Sequence, residues 1–290
     1  MEKSISVIGG DLRSLKLIEL LEKDGLEVYT YGFELADEIL NNSNIKQCSD
    51  LKTALKKSKV IIGPIPFSSD RKNLLTPFSK EKISIAEFLE NIQGKKIIAG
   101  NFSEDIRKSF DAQEVEYIDL IKREEFSVLN AISTAEGTIE IIIRETQRTI
   151  HGSKILVMGF GRVGKVLADK LDGIGADVYC EARKNEDIAW IKTYGYKPIK
   201  LNELNEHLGE FEIIINTIPF QILDEKRLDL VKEDAVLIDL ASNPGGIDRN
   251  AAKNKKLKLI WALSLPGKVA PITSAEFIKE TLDNVLKELN

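Results

Sequence analysis

The run Lys154-Ile155-Leu156-Val157-Met158 leads into Gly159-Phe160-Gly161-Arg162-Val163-Gly164, and the residues from Lys165 to Leu171 continue with helical spacing. Three glycines spaced G-x-G-x-x-G between a strand and a helix are what the pyrophosphate of a dinucleotide requires. Gly159 permits the tight turn, Gly161 lets the backbone approach the phosphates, and Gly164 lets the helix lie close to the strand with its first amides facing the anion. The chemistry implied is hydride transfer to or from a nicotinamide, with Phe160, Arg162 and Val163 in the same cofactor loop. A glycine-rich turn without a ligand is the plain alternative. A further strand starting near Asp177 completes the βαβ unit and favours the dinucleotide.

Cofactor choice is read at the end of that further strand, in Val178-Tyr179-Cys180-Glu181-Ala182-Arg183-Lys184. NAD sites place a carboxylate there for the ribose 2′-hydroxyl, whereas NADP sites place a cation near the 2′-phosphate. The spacing puts Ala182 at the acidic position, followed by Arg183 and Lys184, so NADP is favoured and NAD stays open. A shift of one residue would put Glu181 in that place and reverse the preference. Asn216-Thr217-Ile218-Pro219 ends another apolar run, and Asp239 and Ala241 end the next. Strand ends of this kind form the ligand crevice of a doubly wound sheet. For Asp239 a structural and a ligand-binding role weigh equally.

An anionic substrate needs fixed cations, because the chain as a whole is acidic, with 46 Asp and Glu against 41 Lys and Arg. Arg13, just after Gly9-Gly10-Asp11, and Lys268, in Pro266-Gly267-Lys268, are the leading candidates. The plain alternatives are an ion pair of Arg13 with Asp11 and a solvated Lys268. Thr134 and Glu136 lie near the start of a long helical pattern and are candidates for substrate contact, although Glu136 can be explained as the capping partner of Ser133. The chain has only two histidines. His207 lies in a polar stretch and reads as a surface residue, and His151 reads as part of a hinge. The candidate catalytic set is therefore Asp11, Arg13, Thr134, Glu136, Ser242 and Lys268.

Alternating elements must hold these residues. Apolar runs at Ile5–Ile8, Leu26–Tyr29, Lys59–Ile62 and Gly94–Gly100 read as strands of a first parallel sheet, which extends to about residue 125. A long helix is predicted over 132–150, with Ser133 and Glu136 as a capping box. Five more strands follow, at Ile155–Met158, Asp177–Cys180, Ile213–Asn216, Val236–Asp239 and Leu257–Ile260. A last helix with a capping box at Thr273 and Glu276 carries Ile278, Leu282, Val285 and Leu289 on one face. The expected fold is α/β: two Rossmann-like, doubly wound parallel-sheet domains joined by a long hinge helix, with the C-terminal helix returning to the first. The expected boundaries are 1–129 with 274–290 for the substrate domain and 130–273 for the NAD(P)-binding domain, including the linker helix.

Composition excludes other classes. The hydrophobic fraction of 43% and interspersed charge exclude disorder and speak against a nucleic-acid surface. No run approaches the about 18 consecutive apolar residues of a membrane span, and a cytoplasmic protein is expected. Two cysteines, Cys48 and Cys180, are too few for a zinc cluster or disulfide framework and read as buried small apolar residues; no metal is expected.

Over nearly its whole length the chain resembles the A-type subunits of the dipicolinate synthase family. The resemblance rests on Ile8-Gly9-Gly10-Asp11-Leu12-Arg13, Asn130-Ala131-Ile132-Ser133-Thr134-Ala135-Glu136-Gly137, and His151-Gly152-Ser153-Lys154 before the glycine fingerprint. It also rests on Ile238-Asp239-Leu240-Ala241-Ser242 with Pro244-Gly245-Gly246-Ile247-Asp248, and on Leu265-Pro266-Gly267-Lys268-Val269-Ala270-Pro271. Ser133 stands where the family is expected to carry proline, and Glu181 where it is expected to carry glycine. The resemblance implies oxidation of dihydrodipicolinate, a small dicarboxylate, to dipicolinate with a nicotinamide cofactor. It also implies work with a second, B-type dipicolinate synthase subunit in the mother-cell cytoplasm of a sporulating bacterium, in a homo- or hetero-oligomer. Two other readings stand beside it: an alanine- or 2-hydroxyacid-type dehydrogenase, and an NADP-binding regulatory or scaffold subunit without turnover of its own.

Overall fold

The computed structural model describes residues 4–36 and 44–288, in two units: Met1–Asn130 with Ala270–Asn290, and Ala131–Val269. The first unit runs β1 (Ser4–Ile8), α1 (Leu12–Lys23), β2 (Glu27–Tyr31), β3 (Ile45–Gln47), α2 (Leu51–Lys56), β4 (Val60–Ile62), α3 (Ile85–Glu90), β5 (Lys96–Ala99), α4 (Glu104–Ala112) and β6 (Glu116–Asp119). Its sheet has the order β3-β2-β1-β4-β5-β6, with every pair parallel. Parallel sheets must be covered on both faces, and β1 shows how. Ile5 and Val7 join Leu15, Ile18 and Leu21 of α1, whereas Ile8 joins Leu51, Leu55, Phe88 and Phe110 on the other side.

Helix α5 (Glu124–Glu145) carries the chain into the second unit. There follow β7 (Lys154–Met158), α6 (Arg162–Gly173), β8 (Asp177–Ala182), α7 (Asn185–Thr193), β9 (Lys197–Lys200), α8 (Leu204–His207), β10 (Ile213–Asn216), α9 (Glu225–Leu228), β11 (Val236–Asp239), α10 (Arg249–Asn254), β12 (Lys258–Trp261) and α11 (Leu265–Val269). The sheet order is β12-β11-β10-β7-β8-β9, again all parallel, so both units have the same doubly wound plan with its switch point beside the first strand. Helix α12 (Pro271–Glu288) returns to the first unit and packs along α1.

Several expectations are corrected. The long helix covers Glu124–Glu145, not 132–150, because Glu124 and Glu125 suit the positive end of the helix dipole and Phe126 already lies in the first core. Ser133 is therefore buried in mid-helix and is no cap. Helix α12 starts at Pro271, which needs no amide partner in the first helical position; Thr273 lies inside the helix, where it cannot form a capping box with Glu276. Leu289 lies outside the described residues. Strands β3, β6 and β9 were not expected: they are edge strands of three or four residues, and Lys46, Gln47, Glu116, Lys197 and Lys200 are exposed. Cys180 is buried, but Cys48 is only partly so.

Among the described residues α5 is long and apolar enough to cross a bilayer. Its Phe126, Ala135, Ile141 and Ile142 instead fill protein cores. The C-terminal helix is likewise held by packing. Leu282, 1% exposed, sits in one cluster with Ile18 and Leu21. Leu282→Ala is expected to destabilise the first unit by about 2–5 kcal/mol. Urea unfolding followed by circular dichroism measures this, and an unshifted midpoint would contradict the packing.

Candidate active site

At the carboxyl end of β7 the chain turns at Gly159, whose φ of +90° suits glycine. A side chain there would meet Thr217 Oγ1 at 2.6 Å, and one at Gly164 would meet the Gly159 carbonyl oxygen at 2.0 Å. Both glycines are therefore required by close approach. Gly161 differs: a Cβ there meets nothing within 4 Å among the described residues. Gly161 is also the N-cap of α6 and offers no side-chain cap to the first amides of that helix. An open glycine before an uncapped helix start is the cradle that a pyrophosphate fills. The residues present thus fit a dinucleotide. Phe160 turns its ring into the core, 4% exposed, while Arg162 and Val163 open the helix.

The neighbouring strand ends build the rest of the crevice wall. Asn216, fully buried, donates from Nδ2 to Asp239 Oδ1 (2.8 Å) and to the Ile218 carbonyl (3.0 Å), and its Oδ1 accepts the Ile218 amide (3.1 Å). Thr217 Oγ1 donates to the Met158 carbonyl at 2.9 Å, which ties this loop to the fingerprint turn. Asp239, 1% exposed, accepts the amides of Ala241 (3.1 Å), Gly246 (2.8 Å) and Ile247 (3.2 Å). Gly245 has a φ of +87°, and a Cβ on Gly246 would strike Asn216 Nδ2 at 2.2 Å, so the loop wraps directly on this pair. Through these bonds Asp239 shapes the loop that carries Ser242. Pro219 and Ser242 are exposed on the two loops. Trp261, which the sequence did not single out, braces the same loop by donating from Nε1 to the Ala241 carbonyl at 2.9 Å, with the Arg249 guanidinium 4.0 Å over its ring. No spacing pattern marks that pair.

At the end of β8 the side chains of Cys180 and Ala182 belong to the core packed by α6 and α7. Strand alternation therefore turns Glu181 to the opposite face. Its carboxylate is 1% exposed, and neither oxygen has a hydrogen-bond partner among the described residues. Burial pushes the carboxyl above its ordinary value. The nearby Gly159 amide, itself bonded to the Glu181 carbonyl at 3.0 Å, opposes this more weakly, as do the Arg183 and Arg227 charges. Arg183 is exposed and has no ion-pair partner among the described residues, whereas Lys184 pairs with Glu186 at 3.1 Å.

The remaining candidates fall into two places. In the first unit Asp11 caps α1 by accepting the Arg13 amide at 3.0 Å, and the Arg13 guanidinium grips the same carboxylate through Nε (3.0 Å) and Nη2 (2.8 Å). Nη2 also donates to the Ile65 carbonyl, and Arg13 is only 4% exposed. The ion pair weighed as the plain alternative is thus present. In the second unit Thr134 is half-buried and Glu136 pairs with Lys170 of α6 at 3.0 Å, in place of the capping role expected for it. A Cβ on Gly137 would lie 3.1 Å from Leu265 of α11, which brings the helix carrying Thr134 and Glu136 against the one carrying Lys268. Lys268 is exposed without a partner among the described residues. The histidines lie elsewhere: the His151 ring covers Gly175, ahead of β8, and His207 bonds Glu210 at 2.7 Å, itself paired with Lys154 at the start of β7. Both are at the amino ends of the strands, away from the fingerprint.

An open fingerprint at the switch point of a doubly wound sheet defines an NAD(P)-binding oxidoreductase. The pattern of the D-isomer specific 2-hydroxyacid dehydrogenase NAD binding domain matches residues 131–251, and that of the N-terminal domain of the dipicolinate synthase A-type subunit matches residues 4–121. The A-type subunit of dipicolinate synthase from Bacillus subtilis (strain 168) is 32% identical over 287 residues, covering 98% of this chain and 96% of its own. Solved structures of the corresponding dipicolinate synthase chains from Bacillus subtilis (31% identity, TM-score 0.88, 99% of this chain and 97% of that one) and Bacillus halodurans (29%, TM-score 0.91, 99% and 98%) share the fold. The chain belongs to the family of dipicolinate synthase A-type subunits.

Because the folded-state pKa of Glu181 is raised above the ordinary 4.5, the fold loses stability as pH climbs from that value through the folded one, and loses none below it. Glu181→Gln cannot ionise. Thermal melting is expected to show the variant more stable than the parent at pH 8, with the gap closing towards pH 4. Parallel curves would show that burial does not raise the proton affinity of the carboxyl.

Proposed function

We propose that this chain oxidises dihydrodipicolinate to dipicolinate, with NADP as the hydride acceptor and in partnership with a B-type subunit. The observation that carries the redox reading is the open cradle at Gly161 before the uncapped start of α6. The product is inferred from the name of the Bacillus subtilis relative, with dihydrodipicolinate as the form of it that carries one hydride and one proton more, and the partner from that relative being one subunit of a synthase. Ala182 at the position of the NAD-type carboxylate, followed by Arg183, exposed and without an ion-pair partner among the described residues, supports NADP.

The bound nicotinamide supplies the hydride-accepting chemistry. The reaction balances as dihydrodipicolinate plus NADP⁺ giving dipicolinate, NADPH and one proton. Loss of hydride and proton makes the ring aromatic, so much of the driving force lies in the substrate and a strong base is unnecessary. That suits a crevice whose strand ends carry Asn216, Thr217, Asp239 and Ser242 but neither histidine. Asn216, Thr217 and Asp239 hold the loops, Ser242 offers an exposed hydroxyl, and Lys268 offers an unpaired ammonium for a substrate carboxylate. Thr134 and Glu136, on the helix packed against α11, are the proposed substrate-side residues. Arg13, held by Asp11, positions the α1 start of the first unit more readily than it binds a free anion. The alanine- or 2-hydroxyacid-type reading is disfavoured by the two histidines lying at the amino ends of the strands, since such enzymes generally use a histidine acid–base.

The test is reduced-nicotinamide absorbance after adding freshly generated dihydrodipicolinate, with NADP or NAD, with and without the B-type subunit. Turnover favouring NADP is expected. Gly161→Asp puts a carboxylate where a phosphate belongs, and cofactor binding should weaken on the order of 100-fold from like-charge repulsion. Lys268→Ala should raise the KM for the dicarboxylate roughly tenfold with a smaller change in kcat. Tight NADP binding with no turnover, even with the second polypeptide present, would instead make the chain a regulatory subunit.

A further inference from the structure

Glu181 is a buried titratable group that the proposed reaction does not use. A carboxyl in an apolar surround with no hydrogen-bond partner is costly, and native structures carry few such groups. Its strand neighbours in register, Met158 on β7 and Ile199 on β9, are apolar. The charges that act on it are Arg183, just past the end of β8, and Arg227 of α9. Arg227 is committed elsewhere, to Asn205 Oδ1 (2.9 Å) and the Ile222 carbonyl (2.8 Å). Arg183 is not, and it is the cation at the place where the 2′-substituent of the cofactor is read. The carboxyl also lies beside the Gly159 amide, at the turn of the fingerprint itself.

We propose that Glu181 is a specificity-determining residue whose protonation selects between NADP and NAD. Neutral, it leaves the Arg183 guanidinium to the 2′-phosphate. Ionised, it engages the Arg183 charge and weakens its hold on the phosphate, while the 2′-hydroxyl of NAD is little affected. The preference for NADP therefore declines as pH rises and the carboxyl loses its proton. This rests on the reading of Arg183 as the 2′-phosphate contact, and on the raised proton affinity that burial gives the group.

The experiment measures dissociation constants of NADP and NAD by titration calorimetry from pH 5.5 to 8.5, for the wild-type chain and Glu181→Gln. A phosphate monoester titrates near 6 on its own, so the variant supplies the baseline. Divided by that baseline, the wild-type preference for NADP is expected to fall threefold to tenfold across the range. Superimposed profiles of wild type and variant would overturn the selector. Arg183→Ala decides the matter independently if Glu181→Gln does not fold: it should lose both the NADP preference and its pH dependence while still binding NAD. A fall in NADP preference with rising pH that is as steep in Arg183→Ala as in wild type would overturn the proposal, whereas failure of wild type to bind either dinucleotide would overturn the cofactor reading beneath it.

Discussion

The hydrogen bond between Asn216 Nδ2 and Asp239 Oδ1, 2.8 Å long and buried between the ends of β10 and β11, is the contact on which the crevice of the second unit depends. Buried polar groups in native structures nearly always carry hydrogen bonds. Each member of the pair meets this condition by gathering backbone: Asn216 closes the turn at Ile218, and Asp239 collects the amides of Ala241, Gly246 and Ile247. Thr217, next along, reaches back to the Met158 carbonyl. Three strand ends are thereby locked at one level. The fingerprint turn cannot shift without breaking this largely buried chain of bonds. The rigidity needed to present a dinucleotide comes from these polar side chains, whose types suggested ligand contact.

The two units have one topology and opposite fates at the switch point. In the first, Gly9 and Gly10 follow β1 as Gly159 follows β7, but the chain itself fills the space. The Gly10 amide donates to the Leu75 carbonyl at 2.9 Å, a Cβ on Gly9 would strike Thr76 at 2.4 Å, and the Asp11 carboxylate sits on the first amides of α1. An internal anion with its own Arg13 counter-ion occupies the helix start, where the second unit leaves Gly161 bare. The dipole of a helix start favours negative charge in either case. What differs is whether the protein provides that charge or leaves it to a ligand.

Much of this was readable from residue order. Strands buried on both faces, such as Ile155–Met158 and Ile213–Asn216, announce themselves as unbroken apolar runs, and the glycine spacing places the cofactor on one of them. The short edge strands β3, β6 and β9 carry no such run, because one side of each faces water. The helix caps misled for another reason. Ser133 and Glu136 have capping-box spacing, but Phe126 and the acidic pair before it extend α5 by more than two turns, and burial outweighs a local signal worth about 1 kcal/mol. The Asn216–Asp239 pair was visible only as two polar residues at strand ends. That they face one another follows from a register in which β10 lies beside β11, a tertiary fact that spacing does not contain.

Glu181 is the place where the local rules fail most clearly. At a position alternating with Cys180 and Ala182 in a strand that packs on both faces, any apolar side chain would suit the fold better than a carboxyl without partners. Departures of this kind are expected at functional sites, where the rest of the structure compensates for them. Here the compensation is available close by. β8 is held in register to both neighbours, and the amide of Gly159 closes on the Glu181 backbone carbonyl and fixes the strand end whatever the state of the side chain. The charge of the carboxyl acts on Arg183, which has no ion-pair partner among the described residues, as well as on the Gly159 amide. A group that is costly to the fold but electrically coupled to the cofactor's distinguishing phosphate has a physical reason to stand where it does.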